Sequence, residues 1–264
     1  MKCKICSATT QKLFAARILL KYDVQYFYCA ACGFLQTEEP YWLDEAYKEP
    51  ISITDTGVIA RNVSLSKIAA SVIYFLYNKD GAFLDFAGGY GLLTRLMRDI
   101  GFDFYWQDLY TNNIFAKGFE FSSGQKSIDL ITSFECFEHL PHPLSDIEKM
   151  LAISPNVLFT TDLLPNPVPA PEQWWYYACD QGQHISFYSR KTLEYIAQKY
   201  GLYIHSHWGM HLLTKKKIAP LFFNKAIEYH KKWLFPFVAK RMKSKAVADM
   251  QYLKKQHHDI SSIY

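Results

Sequence analysis

Between Leu84 and Gly91 the chain reads Leu-Asp-Phe-Ala-Gly-Gly-Tyr-Gly, a cluster of small residues set directly behind an apolar run. Three glycines within four positions neither continue a strand nor favour a helix, so the backbone has to turn there. The flanking patterns predict a strand over 82–87 and a helix over 91–100. In an open α/β sheet such a strand-to-helix turn lies where free backbone amides are offered to a ligand. Gly88, Gly89 and Gly91 meet that demand. The next predicted strand, 102–108, ends on Asp108, 19 residues after Gly89, a position from which a carboxylate accepts the hydroxyls of a ribose. Taken alone, the turn also reads as a tight corner; the Asp108 spacing argues against that and for a nucleotide-like ligand.

The alternation continues downstream, with strands over 127–135, 156–163 and 202–208 and helices over 143–153 and 189–200. A further helix, 56–78, leads into the first strand. Ser189 and Gly201 bracket the helix at 189–200 as ordinary caps. Alternation of this kind predicts the α/β class, a doubly wound, mostly parallel sheet. The segment 164–183, rich in proline and aromatic residues, has no period and is long for a simple connection, as loops that cover a site often are. The expected domains are 1–40, 55–214 and a helical extension at 215–264 broken by Pro220 and Pro236.

The run Ile128-Asp129-Leu130-Ile131-Thr132-Ser133-Phe134-Glu135-Cys136-Phe137-Glu138-His139-Leu140-Pro141-His142-Pro143 resembles the strand and following loop of class I S-adenosylmethionine-dependent methyltransferases. Gln183 to Ser189 is similar to a later segment of a subgroup many of whose members act on sugars or other small metabolites. The resemblance covers about residues 55–210. It implies a Rossmann-like methyltransferase fold that binds S-adenosylmethionine through Asp85, Ala87, Gly88, Gly89, Gly91, Asp108 and Glu135. Ala87 departs from the pattern, standing at the family's first glycine, where alanine costs little if φ is negative. The adenine-contacting residue is not assigned, with Phe119, Glu120 and Phe121 as candidates.

Methyl transfer asks the protein to align the acceptor, exclude water and often remove a proton. Imidazole titrates near neutral pH, which makes His139, His142 and His184 candidate bases, with His184 preferred because it follows the aromatic loop. Each also reads as a structural hydrogen-bonding group. Glu138 either orients a histidine, helps hold the cofactor or caps a helix start. Trp174, Trp175, Tyr176 and Tyr177 supply flat faces for an acceptor or simply a packed lid. Tyr90 reads as packing before cation–π contact, Cys136 as a small buried residue, and Cys179 is undecided.

Cys3-x-x-Cys6, 22 intervening residues, then Cys29-x-x-Cys32 set out four thiols suited to a closed tetrahedral Zn²⁺ site of structural type. A zinc ribbon ahead of a methyltransferase domain resembles two arrangements, sugar C-methyltransferases acting on nucleotide-linked keto-sugars and certain ribosomal RNA base methyltransferases. Charge discriminates between them. Residues 215–264 carry 12 Lys or Arg against 3 Asp or Glu, so the formal +4 of the chain hides a net acidic 1–214. RNA binding asks for a basic face on the catalytic domain, so a small-molecule acceptor is expected ahead of RNA. The basic, aromatic extension suits an anionic membrane surface, a polyanion, or packing on the main domain. The first residues lack a secretory core, and no uncharged apolar run reaches bilayer length, so a cytoplasmic location without a transmembrane segment is expected.

Overall fold

The computed structural model describes residues 1–48, 55–124 and 126–261, with side chains as far as Gln256; residues 262–264 of the expected basic extension lie outside the described residues. In chain order the strands are β1 (Gln11–Ile18), β2 (Tyr22–Tyr28), β3 (Leu35–Thr37), β4 (Ala82–Phe86), β5 (Asp103–Gln107), β6 (Ile128–Ser133), β7 (Val157–Thr160), β8 (Ser186–Phe187), β9 (Tyr203–His207) and β10 (Met210–Thr214). The α-helices are α1 (Leu43–Ala46), α2 (Val58–Leu76), α3 (Leu92–Ile100), α4 (Pro143–Ile153), α5 (Arg190–Lys199), α6 (Pro220–Glu228), α7 (Phe235–Arg241) and α8 (Ala246–Ser261). The α/β class is as read from the sequence. Contacts group the chain into two bodies, 1–56 with 133–217, and 57–132 with 218–264. The cysteine-bearing segment therefore shares a body with the second half of the domain expected at 55–214.

In the first body, β1 and β2 form an antiparallel hairpin from Gln11↔Tyr28 to Ile18↔Tyr22, with a bulge between Lys12 and Phe14. β3 adds to β2, and β8, which the sequence did not suggest, adds to β3 through Leu35↔Phe187. One face of this sheet is an aromatic core of Tyr26, Trp42, Tyr176, Tyr177 and Phe187. Burying an indole strands its N–H unless an acceptor is supplied, and Trp42 Nε1 donates to the Gly182 carbonyl at 2.8 Å. The aperiodic 164–183 segment is thus drawn in as part of the core. It folds into two short 3₁₀ turns, Pro171–Gln173 and Trp175–Tyr177. Elsewhere in this body β10 runs antiparallel to both β7 and β9. β10 lies beyond the strand expected at 202–208, and its five residues are all buried and so show no alternation that would mark it in the sequence.

In the second body β4 lies between β5 and β6, parallel to both, with Leu84 opposite Tyr105 and Ile131. Phe83 stacks on Phe104 with ring centroids 5.3 Å apart. α2 packs on α3, α6 and α7, and its buried residues include the small Ser66, Ala69, Ala70 and Ser71. By length and composition alone α2 is long and apolar enough to cross a membrane, although it is not an uncharged run. It also carries Arg61 and Lys67.

The basic extension packs within this second body. Phe223, Ala226, Ile227 and Val238 are buried, whereas Leu221, Phe222 and Trp233 stay exposed. Arg98 of α3 holds α8 in a two-pronged pair with Asp249, Nε to Oδ2 at 2.8 Å and Nη2 to Oδ1 at 2.7 Å. The same guanidinium donates to Asp103 and to the Phe104 carbonyl and lies 3.6 Å from the centre of the Phe119 ring.

Candidate functional site

The glycine turn belongs to the second body. Asp85, the fourth residue of β4, is buried, and its carboxylate accepts hydrogen bonds from Thr94 Oγ1 at 3.2 Å and Thr132 Oγ1 at 3.0 Å. Burial pushes its pKa up to about 7 against the pull of the two hydroxyls. A Cβ on Gly88 would sit 2.7 Å from Asp85 Oδ2 and 2.9 Å from Trp106 Cδ1, so only glycine fits between them. Gly91 opens α3 at φ +83° in the left-handed region. Ala87 is also left-handed, at φ +57°, which corrects the condition under which alanine there would be cheap.

Asp108, at the end of β5, holds the turn. Its Oδ2 accepts from Gly89 N at 3.0 Å, and its Oδ1 from the amides of Tyr110 and Thr111 at 2.7 and 2.9 Å. A carboxylate offers about four lone-pair positions, so Oδ2 retains acceptor capacity for one further donor. Trp106 Nε1 and Thr111 Oγ1 both donate to the Gly89 carbonyl. Of the three adenine candidates, Phe119 is buried beneath the Arg98 guanidinium, and Glu120 accepts from Asn113 Nδ2 at 2.7 Å. Residues 119–121 run alongside Trp106 as an extra parallel bridge. An open cavity of about 740 Å³ on this body is lined by Trp106, Thr111, Asn113, Ile114, Lys117 and Glu120. Tyr90 accepts at its carbonyl from the amides of Ile114 and Phe115.

Three of the catalytic candidates, Glu138, His139 and His184, lie together in the first body, along with Glu135. Glu138 and His139 sit on a 3₁₀ turn, Phe137–His139, directly after β6, and His184 precedes β8. The imidazoles of His139 and His184 meet edge to face, with centroids 4.8 Å apart. His139 Nε2 lies 3.9 Å from Glu138 Oε1. Glu138 is 1 % exposed, and its Oε2 has no hydrogen-bond partner among the described residues. Burial, reinforced by the charge of Glu135, pushes its pKa up to about 8. Burial also depresses His139, to about 3, with His184 acting in the same direction, and it lowers His184 as well.

The hydrogen bonds fix the tautomers. His139 Nδ1 lies 3.1 Å from the Gln183 carbonyl and His184 Nδ1 lies 2.7 Å from the Tyr176 carbonyl. A carbonyl only accepts, so each Nδ1 carries the hydrogen and each Nε2 presents a bare lone pair. The Tyr47 oxygen, 2.9 Å from His139 Nδ1, shares that hydrogen. Glu135 takes a left-handed backbone, φ +52°, while Thr160 Oγ1 donates to its carboxylate at 2.9 Å and accepts from its amide at 2.8 Å. His142 stands apart in a different role, as the residue before α4.

Tyr47, Thr160 and the carbonyls of Tyr176 and Gln183 were not among the sequence candidates. Tyr47 lies 92 residues from His139, and a carbonyl leaves no mark in sequence. Within the aromatic run, Tyr176 and Tyr177 are buried and Trp175 is 76 % exposed. Tyr176 packs on His184 with centroids 4.7 Å apart and makes a 3.2 Å contact with Thr161 Oγ1. Cys136 is buried, as read.

The four ribbon cysteines converge in the same body. Cys3 and Cys32 Sγ are 3.5 Å apart, Cys6 and Cys29 Sγ 3.4 Å, and all four sulfurs lie within 4.8 Å of one another. Four thiolates at about 2.3 Å from Zn²⁺ are about 3.8 Å apart, so the cluster has the dimensions of such a site. The Cys3 thiol is lowered to about 5, chiefly by the neighbouring Cys32 thiol. Thr192 of α5 donates to the Cys32 carbonyl at 2.9 Å, tying the knuckle to the body.

A family model described as a methyltransferase domain matches residues 60–207. No curated protein matches the chain. Among solved structures the chain is similar to a methyltransferase in calicheamicin biosynthesis in its SAH-bound form, at 13% identity and TM-score 0.45, over 67% of this chain and 60% of that one. It is similar to the plantazolicin methyltransferase in complex with a monoazolic desmethyl analogue and SAH, at 15% identity and TM-score 0.46, over 73% and 87%. A third is an O-methyltransferase family protein from Burkholderia thailandensis, at 13% identity and TM-score 0.47, over 68% and 65%. The chain thus spans about 60% of the length of the calicheamicin methyltransferase.

Proposed function

The chain belongs to the methyltransferase domain family, and from that premise we propose that it moves a methyl group from S-adenosylmethionine to a sugar, nucleotide-sugar or related small metabolite. The observation that carries this reading is the clamp of Asp108 on the Gly89 amide, within a turn where Gly88 has room for no Cβ. Asp85, Ala87, Gly88, Gly89, Gly91 and Asp108 are the proposed cofactor contacts, and Glu135 is kept as a candidate. When bound, S-adenosylmethionine supplies a methyl group already activated by its sulfonium.

The chain's own residues have then to position the acceptor and handle its proton. His184 presents a bare Nε2 and is buried enough to stay neutral, so it is the proposed acceptor of that proton, with Tyr176 and the Tyr176 carbonyl orienting its ring. The net acidic character of residues 1–214 favours a small acceptor over RNA. Zn²⁺ in the Cys3, Cys6, Cys29 and Cys32 cluster is proposed as a structural ion, since four thiolates leave no open coordination position. Calorimetric titration with S-adenosylhomocysteine tests the cofactor assignment. Binding by the native chain that is weakened in Asp108→Ala is expected; no binding by either overturns it.

A further inference from the structure

Glu138, His139 and His184 form a second group of ligand atoms, separate from the cysteines, with one atom from each residue within 4.8 Å of the others. Three independent features make it more than a cluster. Both imidazoles are pinned through Nδ1–H to backbone carbonyls, the arrangement that aims Nε2 at a metal and raises its donor strength. Glu138 Oε2 is buried with no hydrogen-bond partner among the described residues, although the Tyr176 hydroxyl bears on the carboxyl group, and such an oxygen is costly unless something electropositive meets it. The carboxylates of Glu135 and Asp162 both bear on Glu138, so the surroundings of this group favour added positive charge. One divalent cation would satisfy the orphaned oxygen, displace the Glu138 proton and be drawn by the neighbouring carboxylates.

We propose that Glu138, His139 and His184 bind a divalent transition-metal cation through two imidazole nitrogens and one carboxylate. Two histidines and a carboxylate suit a first-row divalent ion and leave coordination positions open. Ligand atoms about 2.1 Å from such an ion are about 3.0–3.4 Å apart, so the 3.9 Å between His139 Nε2 and Glu138 Oε1 closes by under about 1 Å on binding. His139 and His184 are only partly buried, which leaves the ion a route in.

This deepens the proposed function and rests on it for one point, the acceptor. An open position on the cation takes a hydroxyl oxygen, or both oxygens of a vicinal diol, and lowers the O–H pKa so that the proton leaves to water. The favoured acceptor is then a hydroxyl compound, and His184 holds the ion instead of taking the proton.

The test uses the full chain with one equivalent of Zn²⁺ supplied to the cysteine cluster, followed by Mn²⁺ titration read by the electron paramagnetic resonance signal of free Mn²⁺. Mn²⁺ is chosen because it disfavours thiolates. About one Mn²⁺ per chain is expected, with affinity falling about 100-fold in His184→Ala and in Glu138→Gln. Tyr47→Phe, which leaves every ligand in place, should weaken binding by less. Retention of S-adenosylhomocysteine binding in these variants shows that they fold. Absence of bound Mn²⁺ in the native chain, or binding indifferent to both ligand variants, overturns the metal site and leaves the methyltransferase reading standing. Mn²⁺ bound by a chain that takes no S-adenosylhomocysteine would instead overturn the cofactor assignment alone.

Discussion

The carboxylate of Asp108 lies 3.0 Å from the backbone nitrogen of Gly89, across 19 residues of chain, and so joins the end of β5 to the turn after β4. Asp108 therefore both shapes the turn and offers an acceptor beside it. Replacing it by asparagine keeps the size but removes the charge and puts a donor among three amide donors. Asp108→Asn is expected to weaken S-adenosylhomocysteine binding by at least about 10-fold, a loss of about 1.4 kcal/mol in calorimetry. An unchanged affinity would show that the clamp is architectural only.

Asp85 predicts a pH dependence of stability opposite in sign to that of a paired surface carboxylate. Its folded pKa is raised, from an ordinary 3.8 to about 7, so the native state holds the proton more tightly than the unfolded chain. The resulting stabilisation is fully present below about pH 4 and is lost as pH rises towards 7. Asp85→Asn carries no charge, so its melting temperature should fall less than that of the native chain between pH 4 and 8. Parallel curves for the two proteins would mean that Asp85 is ionised throughout.

The local layout of the second body was readable because its signals are local. The glycine turn and the strands on either side of it act within a few positions; in the first body the caps of α5 are equally local, and α4 runs over 143–153 as expected. What escaped the sequence depends on distant partners. β8 is two residues long and exists because β3 lies beside it, about 150 positions earlier in the chain. The left-handed backbone of Ala87 and Glu135 has no residue signature, since neither is a type that favours it. At the candidate site, the histidines and Glu138 were legible as residue types. Their tautomers and the orphaned oxygen were not, because both are set by backbone carbonyls and by burial.

Ala87 makes a prediction of its own. At φ +57° an alanine is strained where glycine is not, while glycine costs entropy in the unfolded chain. The first effect is the larger, so Ala87→Gly should stabilise the protein by about 0.5–1 kcal/mol in urea denaturation. Destabilisation would mean that the Ala87 methyl makes packing contacts worth more than the strain.

The cysteine cluster should be coupled to the stability of its own body. Unpaired thiolates 3.4–3.5 Å apart repel, and the Cys32 carbonyl is held by Thr192, so loosening the knuckles also loosens the start of α5. Chelation of Zn²⁺, or Cys29→Ser, is expected to cost several kcal/mol and to release about one Zn²⁺ per chain by elemental analysis. A melting curve untouched by chelator would argue against a structural ion.

Arg98 and Asp249 supply the sharpest test of how the C-terminal helix is held. Their side chains are 5% and 7% exposed, and the guanidinium spends two of its donors on this carboxylate. Removing Asp249 leaves a buried cation whose partners among the described residues are Asp103, the Phe104 carbonyl and the Phe119 ring, and the same change deprives Arg95 Nη2 of a partner at 2.9 Å. Asp249→Ala should therefore cost about 3 kcal/mol, with little relief from added salt because the pair is shielded from it. Taking away both charges while keeping volume, as Arg98→Met with Asp249→Leu, should recover much of that loss, since neither ion then remains stranded. Urea midpoints for the single and double variants decide the matter: a double variant as unstable as the single one would mean that the pair, and not the avoidance of a lone charge, is what fastens α8.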